Sequence, residues 1–278
     1  MTKNWFITGA STGFGKELAD LCLREGDGVV ATFRKAEQAE VFTAQANGRG
    51  LGVVADVTSE AQVQQAVADG LAAVGHFDVV VNNAGYGSLG AVEAIGDDEV
   101  RRQFDVNVFG PLRVLRAVLP SMRARRSGHI LNITSIGGLQ GMPAAGIYNG
   151  SKFALEGIGI SLARQLEPLG IRVTNIEPGP FRTEWAGPSA THTRSGEADY
   201  AHIDKNVDEI EVYSGTQVGD PVRAARAMFD VVRLEKPPIH LPLGAMAYRV
   251  ARAKYKATLD EFDAFEYLGL PTDFPAEK

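Results

Sequence analysis

Tyr148 and Lys152 lie four residues apart and form the pair in this sequence best suited to acid–base chemistry. Residues with this spacing share one face of a helix, so the phenol and the ammonium group would be neighbours. A tyrosine side chain has an ordinary pKa of about 10, which is too high for efficient proton transfer at neutral pH. Because a nearby cation favours the phenolate, Lys152 would lower that pKa. We therefore expect Tyr148 to exchange a proton with a bound molecule.

Two polar residues that precede this pair complete a candidate catalytic set. Ser135 follows the apolar run 129–133 and could hydrogen-bond a substrate oxygen beside Tyr148. Asn107 would hold a water next to Lys152 and connect the tyrosine to solvent. Taken singly, Ser135 could be a turn residue, Asn107 a helix cap or surface residue, and the Tyr–Lys spacing a coincidence. The order of all four along the chain favours a shared site.

A glycine-rich segment follows the first predicted strand, 5–7, and opens the first predicted helix. Its glycines have the spacing G-x-x-x-G-x-G. Glycine permits a tight turn and lets the backbone approach a pyrophosphate, which the positive end of the helix attracts. A simple tight turn is the alternative. The position in the first strand–helix unit predicts a dinucleotide-binding turn formed by Gly9, Ser11, Thr12, Gly13, Phe14 and Gly15.

The end of the second predicted strand indicates which dinucleotide would bind. A cofactor without a 2′-phosphate usually meets a carboxylate about 20 residues after the glycines. Here Arg34 and Lys35 occupy that region, and no carboxylate occurs between Asp27 and Glu37. An arginine can bind a 2′-phosphate through charge-assisted hydrogen bonds, although both cations could also be solvated surface residues. The pattern favours NADP(H) over NAD(H), with Arg34 as the phosphate ligand.

Two further segments follow predicted strands. After the third strand, Asp56 could accept a hydrogen bond from an adenine amino group while the backbone at Val57 supports the ring; a helix cap or Asx-turn is the alternative. After the fourth strand, the side-chain amide of Asn83 could brace neighbouring strand ends, and Ala84 and Gly85 would bring the backbone close to the cofactor riboses. A plain turn is the alternative there.

Short runs rich in valine and isoleucine alternate with helical patterns along most of the chain. This alternation predicts an α/β fold with one domain over 1–278, a Rossmann-type doubly wound parallel sheet flanked by helices on both faces. The predicted strands are 5–7, 28–31, 51–55, 77–81, 129–133 and 171–176, with 237–241 as a candidate seventh. The predicted helices are 13–25, 59–73, a helical region over 97–125, and 148–169.

Two segments near the C-terminus have separate predictions. The stretch 180–219 mixes aromatic residues with turn formers, which is typical of a lid over a substrate. The segment 245–268 has apolar residues at helical spacing and could pack on the core, cover the pocket or meet a second subunit, core packing being favoured.

Composition limits the partners and the compartment. The net charge is −6, which argues against nucleic acid or an anionic membrane as a partner. The single cysteine, Cys22, cannot form an intrachain disulfide and is expected in the core. Neither a signal peptide nor a membrane span is recognised in the sequence, so a cytoplasmic protein is expected.

The combined motifs resemble the short-chain dehydrogenase/reductase family. The resemblance runs from about residue 4 to 245 and rests on T-G-A-S-T-G-F-G, D-V-T, N-N-A-G, Asn107, Ser135, Tyr148-x-x-x-Lys152 and Pro178-Gly179. It implies the catalytic roles given above, nicotinamide and phosphate contacts from Pro178, Gly179 and Thr183, and a homodimer or homotetramer formed through long helices. The overall pattern is similar to the 17β-hydroxysteroid-dehydrogenase-like subgroup. Many NADP(H)-preferring members also have a cation in the glycine turn, where this sequence has Thr12.

These observations together predict an NADP(H)-dependent oxidoreductase that interconverts a ketone or aldehyde and an alcohol, with Tyr148 as general acid or base. No metal is required, because the cofactor carries the hydride. Most residues of the predicted pocket are small or apolar, which favours a neutral, mostly apolar substrate. The predicted pocket residues are Gly137, Gly138, Leu139, Met142, Ile147, Glu177, Phe181 and Trp185. A catalytically silent dinucleotide-binding sensor or regulatory subunit is the alternative, although such a protein would be expected to lack a catalytic residue.

Overall fold

A seven-stranded parallel sheet forms the centre of the protein, for which a computed structural model describes residues 2–274. The strand order is β3-β2-β1-β4-β6-β7-β9, and β5 and β8 form a separate parallel pair. The strands are β1 (Asn4–Ile7), β2 (Gly28–Phe33), β3 (Gly50–Val54), β4 (Val79–Asn82), β5 (Gly87–Leu89), β6 (Gly128–Ile133), β7 (Ile171–Pro178), β8 (Ala190–His192) and β9 (His240–Leu243).

Helices cover both faces of the large sheet, as predicted. They are α1 (Gly13–Arg24), α2 (Ala36–Gln45), α3 (Glu60–Val74), α4 (Asp97–Phe104), α5 (Gly110–Arg125), α6 (Gly146–Leu166), α7 (Ala201–Val212), α8 (Pro221–Val231) and α9 (Ala245–Gly269). Helices α1, α2 and α8 pack on one face, and α3, α5 and α6 pack on the other. The predicted fold class is therefore confirmed.

The strand sequences explain why both faces are covered. Successive side chains of a strand point to opposite faces of the sheet. In β1, Trp5 and Ile7 join the core under α1 and α8, whereas Phe6 joins the core under α3 and α5. Since all three residues are apolar and buried, each face needs a helical layer to exclude water.

Several predicted boundaries differ from the structure. The seventh strand is β9, which begins three residues later than predicted; Pro237 and Pro238 lack the N–H groups that sheet pairing requires. A π-helical turn, Asp105–Phe109, interrupts the predicted helical region 97–125. Helix α6 begins at Gly146 and continues into a 3₁₀ turn, Glu167–Leu169. Helices α2 and α8 were not predicted.

The C-terminal part also departs from expectation. The predicted lid, 180–219, contains β8 and the regular helix α7, so it is more ordered than a loop. Among the described residues of α9, only Ala247 and Ala251 are buried, so the favoured prediction that this segment packs on the core is wrong beyond its first two turns. Within residues 2–274, no helix is long and apolar enough to cross a membrane.

Candidate active site

A cavity of about 1630 Å³ lies at the C-terminal edge of the large sheet. Because the strands are parallel, the segments that follow them meet at this edge, the usual ligand crevice of such sheets. Most of the predicted site residues line the cavity: Gly9, Ser11, Thr12, Gly13, Phe14, Arg34, Asp56, Val57, Asn83, Ala84, Gly85, Ser135, Tyr148, Lys152, Pro178, Gly179 and Thr183. Gly15 and Asn107 lie behind its wall and support it.

The glycine turn after β1 has the backbone geometry that its sequence indicates. Gly9 and Gly13 have φ values of 67° and 58°, in the left-handed region that favours glycine. A Cβ atom on Gly15 would lie 2.5 Å from both Asn83 Nδ2 and the Gly9 carbonyl oxygen. Gly15 therefore permits close packing of helix α1 on the strand ends, whereas Gly9 and Gly13 permit the turn itself.

The segment after β4 braces this turn. The Asn83 side chain donates hydrogen bonds to the carbonyl oxygens of Thr8 and Gly9, at 2.8 and 2.9 Å. The Thr8 hydroxyl accepts from the backbone N–H groups of Asn83 and Ala84, both at 3.0 Å. The predicted bracing by Asn83 is thus visible as two strand ends held together by hydrogen bonds.

A ladder of buried amides continues across the next strands. Asn82 donates to Asn132 at 2.9 Å, Asn132 donates to Asn175 at 3.1 Å, and Asn175 donates to the Glu156 carboxylate at 2.6 Å. Sequence reasoning missed Asn132 and Asn175, although each lies in an apolar strand where an asparagine needs a buried partner.

Cations surround one end of the cavity. Arg34, directly after β2, is exposed there, and Arg101 and Arg102 of α4 line the same cavity. The guanidinium of Arg102 lies 5.3 Å from the centre of the Tyr86 ring. Sequence reasoning missed both arginines of α4, because only the folded chain brings this helix opposite the end of β2.

Asp56 forms an Asx-turn, one of the alternatives that the sequence allows. Its Oδ1 atom accepts hydrogen bonds from the Thr58 backbone and hydroxyl, at 2.9 and 2.7 Å. Burial raises the pKa of Asp56, but the Thr58 hydrogen bonds and the charges of Arg34 and Arg102 outweigh it and lower that pKa overall. Asp56 thus lies as a carboxylate within the field of the arginines.

The opposite end of the cavity holds Tyr148, Lys152 and Ser135. Tyr148 and Lys152 share one face of α6, with the Lys152 ammonium 5.9 Å from the centre of the tyrosine ring. Lys152 Nζ donates to the Ile133 carbonyl oxygen at 2.8 Å. The Ser135 hydroxyl lies close enough to the Tyr148 phenol to lower its pKa, and its oxygen accepts a hydrogen bond from the Gly137 N–H at 2.9 Å. The predicted convergence of these three groups is present.

Burial dominates the ionisation of this pair. It raises the pKa of Tyr148 to about 12, against the opposing effect of the Ser135 hydrogen bond. It lowers the pKa of Lys152 to about 8. The prediction of a lowered Tyr148 pKa is therefore not met by these side chains, since burial raises that pKa overall.

Asn107 lies in the π-helical turn, 0% exposed, and connects two elements. Its Oδ1 accepts from the Tyr86 N–H at 3.1 Å, and its Nδ2 donates to the Tyr86 carbonyl and the Ser151 hydroxyl, both at 3.0 Å. A Cβ on Gly85 would meet Asn107 Oδ1 at 3.1 Å and Lys152 Nζ at 3.5 Å. Asn107 therefore ties the loop after β4 to α6 beside the lysine.

The wall next to Tyr148 is mainly apolar. Met142, Phe181 and Trp185 line it as predicted, and the Trp185 and Tyr148 rings lie 4.8 Å apart. The Phe181 ring contacts Phe14 of the glycine turn edge-on at 5.1 Å. The segment after β7 thus connects the glycine turn to the end of the cavity that holds Tyr148.

Several predicted pocket residues lie elsewhere, so their prediction is wrong. Glu177 is 1% exposed and accepts a hydrogen bond from His240 Nδ1 at 2.7 Å, because the register of β7 and β9 places both side chains on the same face of the sheet. Gly137 and Gly138 pack behind the cavity against α6, where no Cβ would fit. Leu139 and Ile147 also lie outside the lining; Ile147 precedes Tyr148 on α6 and points to another side of the helix.

Comparisons with known proteins agree with this geometry. A family model described as short chain dehydrogenase matches residues 3–194. Oxidoreductase BOA17 of Botryotinia fuckeliana is 38% identical over 264 residues, which cover 94% of this chain and 96% of that protein. The 3-ketodihydrosphingosine reductase of Bacteroides thetaiotaomicron is 36% identical over 259 residues, 92% of each chain. A solved short-chain dehydrogenase from Streptomyces avermitilis has a TM-score of 0.91 at 36% identity, covering 99% of this chain and 100% of that one.

Solved relatives differ in their dinucleotide. A short-chain dehydrogenase/reductase from Burkholderia phymatum in complex with NAD has a TM-score of 0.77 at 26% identity and covers 99% of this chain and 98% of its own. A serine dehydrogenase complexed with NADP⁺ has a TM-score of 0.74 at 25% identity, with 86% and 94% covered. The fold, the convergent site and these similarities lead to one conclusion: the chain belongs to the short-chain dehydrogenase/reductase family of oxidoreductases.

Proposed function

We propose that this protein is an NADP(H)-dependent oxidoreductase that interconverts a ketone or aldehyde and an alcohol, with Tyr148 as general acid or base. The observation that carries the proposal is the shared cavity, which is lined by Tyr148, Ser135 and Lys152 at one end and by exposed arginines at the other. In this proposal, the end with the arginines binds the phosphorylated part of the dinucleotide, and the end with Tyr148 binds the nicotinamide and the substrate.

The glycine turn and the segments around it fit a dinucleotide. A Cβ on Gly9 would lie 3.0 Å from Ala84 Cα, so glycine lets the turn pack closely on the segment after β4. Thr183 lies across from Gly13, at 3.4 Å from the position of a Cβ there, and Pro178 and Gly179 continue the same wall. When bound, the nicotinamide supplies or accepts the hydride.

The residues of this chain then handle the proton. In reduction, the Tyr148 phenol gives its proton to the substrate oxygen as the carbonyl carbon receives the hydride; in oxidation, the phenolate accepts the hydroxyl proton. Ser135 holds the same oxygen, since its hydroxyl already reaches Tyr148. Lys152 binds the nicotinamide ribose and supports the phenolate, and Asn107 places a water for proton exchange.

Because Tyr148 is buried, the positive charge of an oxidised cofactor would strongly affect its pKa. Because burial raises the pKa of Tyr148 to about 12, the phenolate needs a positive neighbour to form near neutral pH. The oxidised nicotinamide carries such a charge, and Lys152 adds another when protonated. In this proposal, both neighbours act together to bring the pKa of Tyr148 closer to neutral pH.

The NADP(H) preference rests on the cationic end of the cavity. Arg34 takes the place where a carboxylate would contact an unphosphorylated ribose, and Arg102 approaches Asp56 from α4. A 2′-phosphate would join a site with positive charge from two elements. The cofactor preference needs a test of its own, because solved family members bind either NAD or NADP⁺.

The substrate is proposed to be neutral and mostly apolar. Met142, Phe181 and Trp185 form the wall beside Tyr148. Among the cavity-lining residues in the described part of the chain, Lys152 is the one Lys or Arg at this end. A relative is named for reducing 3-ketodihydrosphingosine, a ketone, which supports the class of reaction. The segment 180–219 would act as the lid, and a cytoplasmic homo-oligomer of the 17β-hydroxysteroid-dehydrogenase-like subgroup remains our prediction.

A panel of apolar ketones and aldehydes, assayed with NADPH and with NADH, tests this function. We expect turnover with NADPH and a fall in kcat of about 10²–10⁴-fold in Tyr148→Phe, since the general acid is removed. Tyr267→Phe, an exposed tyrosine of α9, is the matched control. Equal turnover by Tyr148→Phe would overturn the role of the phenol, and cofactor binding without turnover of any substrate would favour a silent dinucleotide sensor.

A further inference from the structure

Helix α9 projects from the body of the protein. Its first turns pack on β9 through Ala247 and Ala251. From Leu259 to Phe274, every side chain is exposed with respect to residues 2–274. Isolated helices shorter than about 12–15 residues are marginal in water, and most helical stability in proteins comes from packing an apolar face. The projecting part of α9 therefore lacks the tertiary support that a helix normally has.

An apolar stripe begins at Tyr255, just before the projecting part of α9, and continues along it. Tyr255, Leu259, Phe262 and Phe265 follow at spacings of four, three and three, so they share one side of the helix. Leu259 is 61% exposed and Phe262 is 65% exposed. Large apolar side chains that line up in this way on a surface mark an interaction site.

The charges of α9 are divided between its two halves. The first half carries only positive charges and the second only negative ones: Arg249, Arg252, Lys254 and Lys256, then Asp260, Glu261, Asp263 and Glu266. The helix macrodipole favours the opposite order. The order observed therefore does not stabilise the isolated helix, but two antiparallel copies would place each positive half beside a negative half.

We propose that α9 pairs antiparallel with α9 of a second copy of this chain. A twofold axis between Thr258 and Leu259 places Tyr255 opposite Phe262 of the second copy. The same register brings Lys254 near Glu261 and Arg252 near Asp263 across the pair, so the apolar stripe is flanked by opposite charges on both sides. A parallel pairing would place like charges together. This interface is separate from α6, which the family resemblance implies in oligomer formation, and it does not depend on the proposed function.

Reciprocal charge reversal tests the pairing in the full-length protein. The first variant is Arg252→Glu with Lys254→Glu, and the second is Glu261→Lys with Asp263→Lys. Sedimentation should give each variant alone half the mass of the wild-type assembly, because like charges then face each other. An equimolar mixture should regain the wild-type mass, because each half again meets its opposite. Wild-type mass for each variant alone, or no recovery on mixing, would overturn the proposal.

Distance measurements test the orientation. Spin labels are attached at Thr258→Cys or at Glu266→Cys; the native Cys22 is buried and should not react. An antiparallel pair predicts a short separation at 258 and a separation longer by more than about 10 Å at 266, given the rise of about 1.5 Å per residue. Equal separations at both positions would indicate parallel helices and overturn the proposal.

A membrane surface is the competing occupant of the stripe. Leu259→Ser with Phe262→Ser should halve the assembly mass while circular dichroism and turnover stay at wild-type values. Phosphatidylcholine–phosphatidylserine vesicles serve as the probe for lipid. Wild-type protein that sediments with vesicles, together with equal masses for wild type and this variant, would assign the stripe to lipid and overturn the pairing.

Discussion

At one end of the cavity the ionisable side chains are buried, and at the other end they are exposed. Tyr148 and Lys152 are each 5% exposed, and burial is the main cause that raises the pKa of Tyr148 and lowers that of Lys152. Arg34 and Arg102 reach into solvent and act on Asp56 through charge. Burial therefore governs the ionisable groups at one end of the cavity, and charge–charge interactions govern those at the other end.

This difference predicts how each end responds to change. A buried group is held by a few fixed contacts, so its removal leaves the neighbouring polar groups without partners and has a large effect. An exposed cation contributes a screened interaction, so its removal has a graded effect that depends on salt. Substitutions of comparable size at the two ends should separate the two behaviours.

The largest effect is expected for Lys152→Met, which keeps the length of the side chain and removes its charge. We expect kcat to fall about 10²–10⁴-fold, as for loss of a general acid–base group, because the phenolate of Tyr148 loses its neighbouring cation. Steady-state kinetics across pH measure this. Lys205→Met, on the exposed α7, is the matched control. A change of less than about threefold would remove the contrast between the ends, since Lys152 would then behave like a surface residue.

A smaller effect is expected for Arg34→Ala. The affinity for NADPH should fall about tenfold, and that for NADH should change little, because only the 2′-phosphate needs the guanidinium. The difference should shrink as salt is raised. Titration of both cofactors at two ionic strengths measures it, with the exposed Arg223→Ala of α8 as control. Equal losses for NADPH and NADH would contradict the assignment of the phosphate end.

The smallest effect is expected behind the buried end, where His240 meets two glutamates. Hydrogen bonds with Glu156 and Glu177 raise the pKa of His240 to about 10, against the effect of burial. A raised histidine pKa stabilises the folded state fully below its unfolded value of about 6.5, and the stabilisation is lost as pH rises toward 10. Burial raises the pKa of Glu177 as well, which acts with the same sign.

His240→Gln should therefore lower the free energy of unfolding by on the order of 1 kcal/mol near pH 6, a value reduced for the solvent exposure of His240. The loss should almost vanish near pH 10. Urea denaturation at both pH values measures it, and His202→Gln on α7 is the control. A loss that grows with pH would have the wrong sign for this cluster.

Much of the site could be predicted because its signals are local. The spacing of Tyr148 and Lys152 specifies a shared helix face, and the glycines after β1 specify a turn through their backbone freedom. Alternating apolar strands and helices then place these segments at one edge of a parallel sheet. Asn83 could be assigned to strand bracing for the same reason, since it directly follows β4.

The tertiary structure decided what depends on contacts between distant segments. Glu177 lies at the end of β7, where the sequence suggests a pocket residue, but the register of β7 and β9 places its side chain on the same face of the sheet as His240. Arg102 reaches the same cavity as Arg34 because α4 packs on α6 and β5, and the raised pKa of Tyr148 arises from burial by the surrounding chain. The sequence determined the fold, the family and the candidate chemical groups through short-range periodicity and spacing. Folding decided which groups are buried, which are charged and that α9 projects from the body, because burial is a property of the whole packed chain.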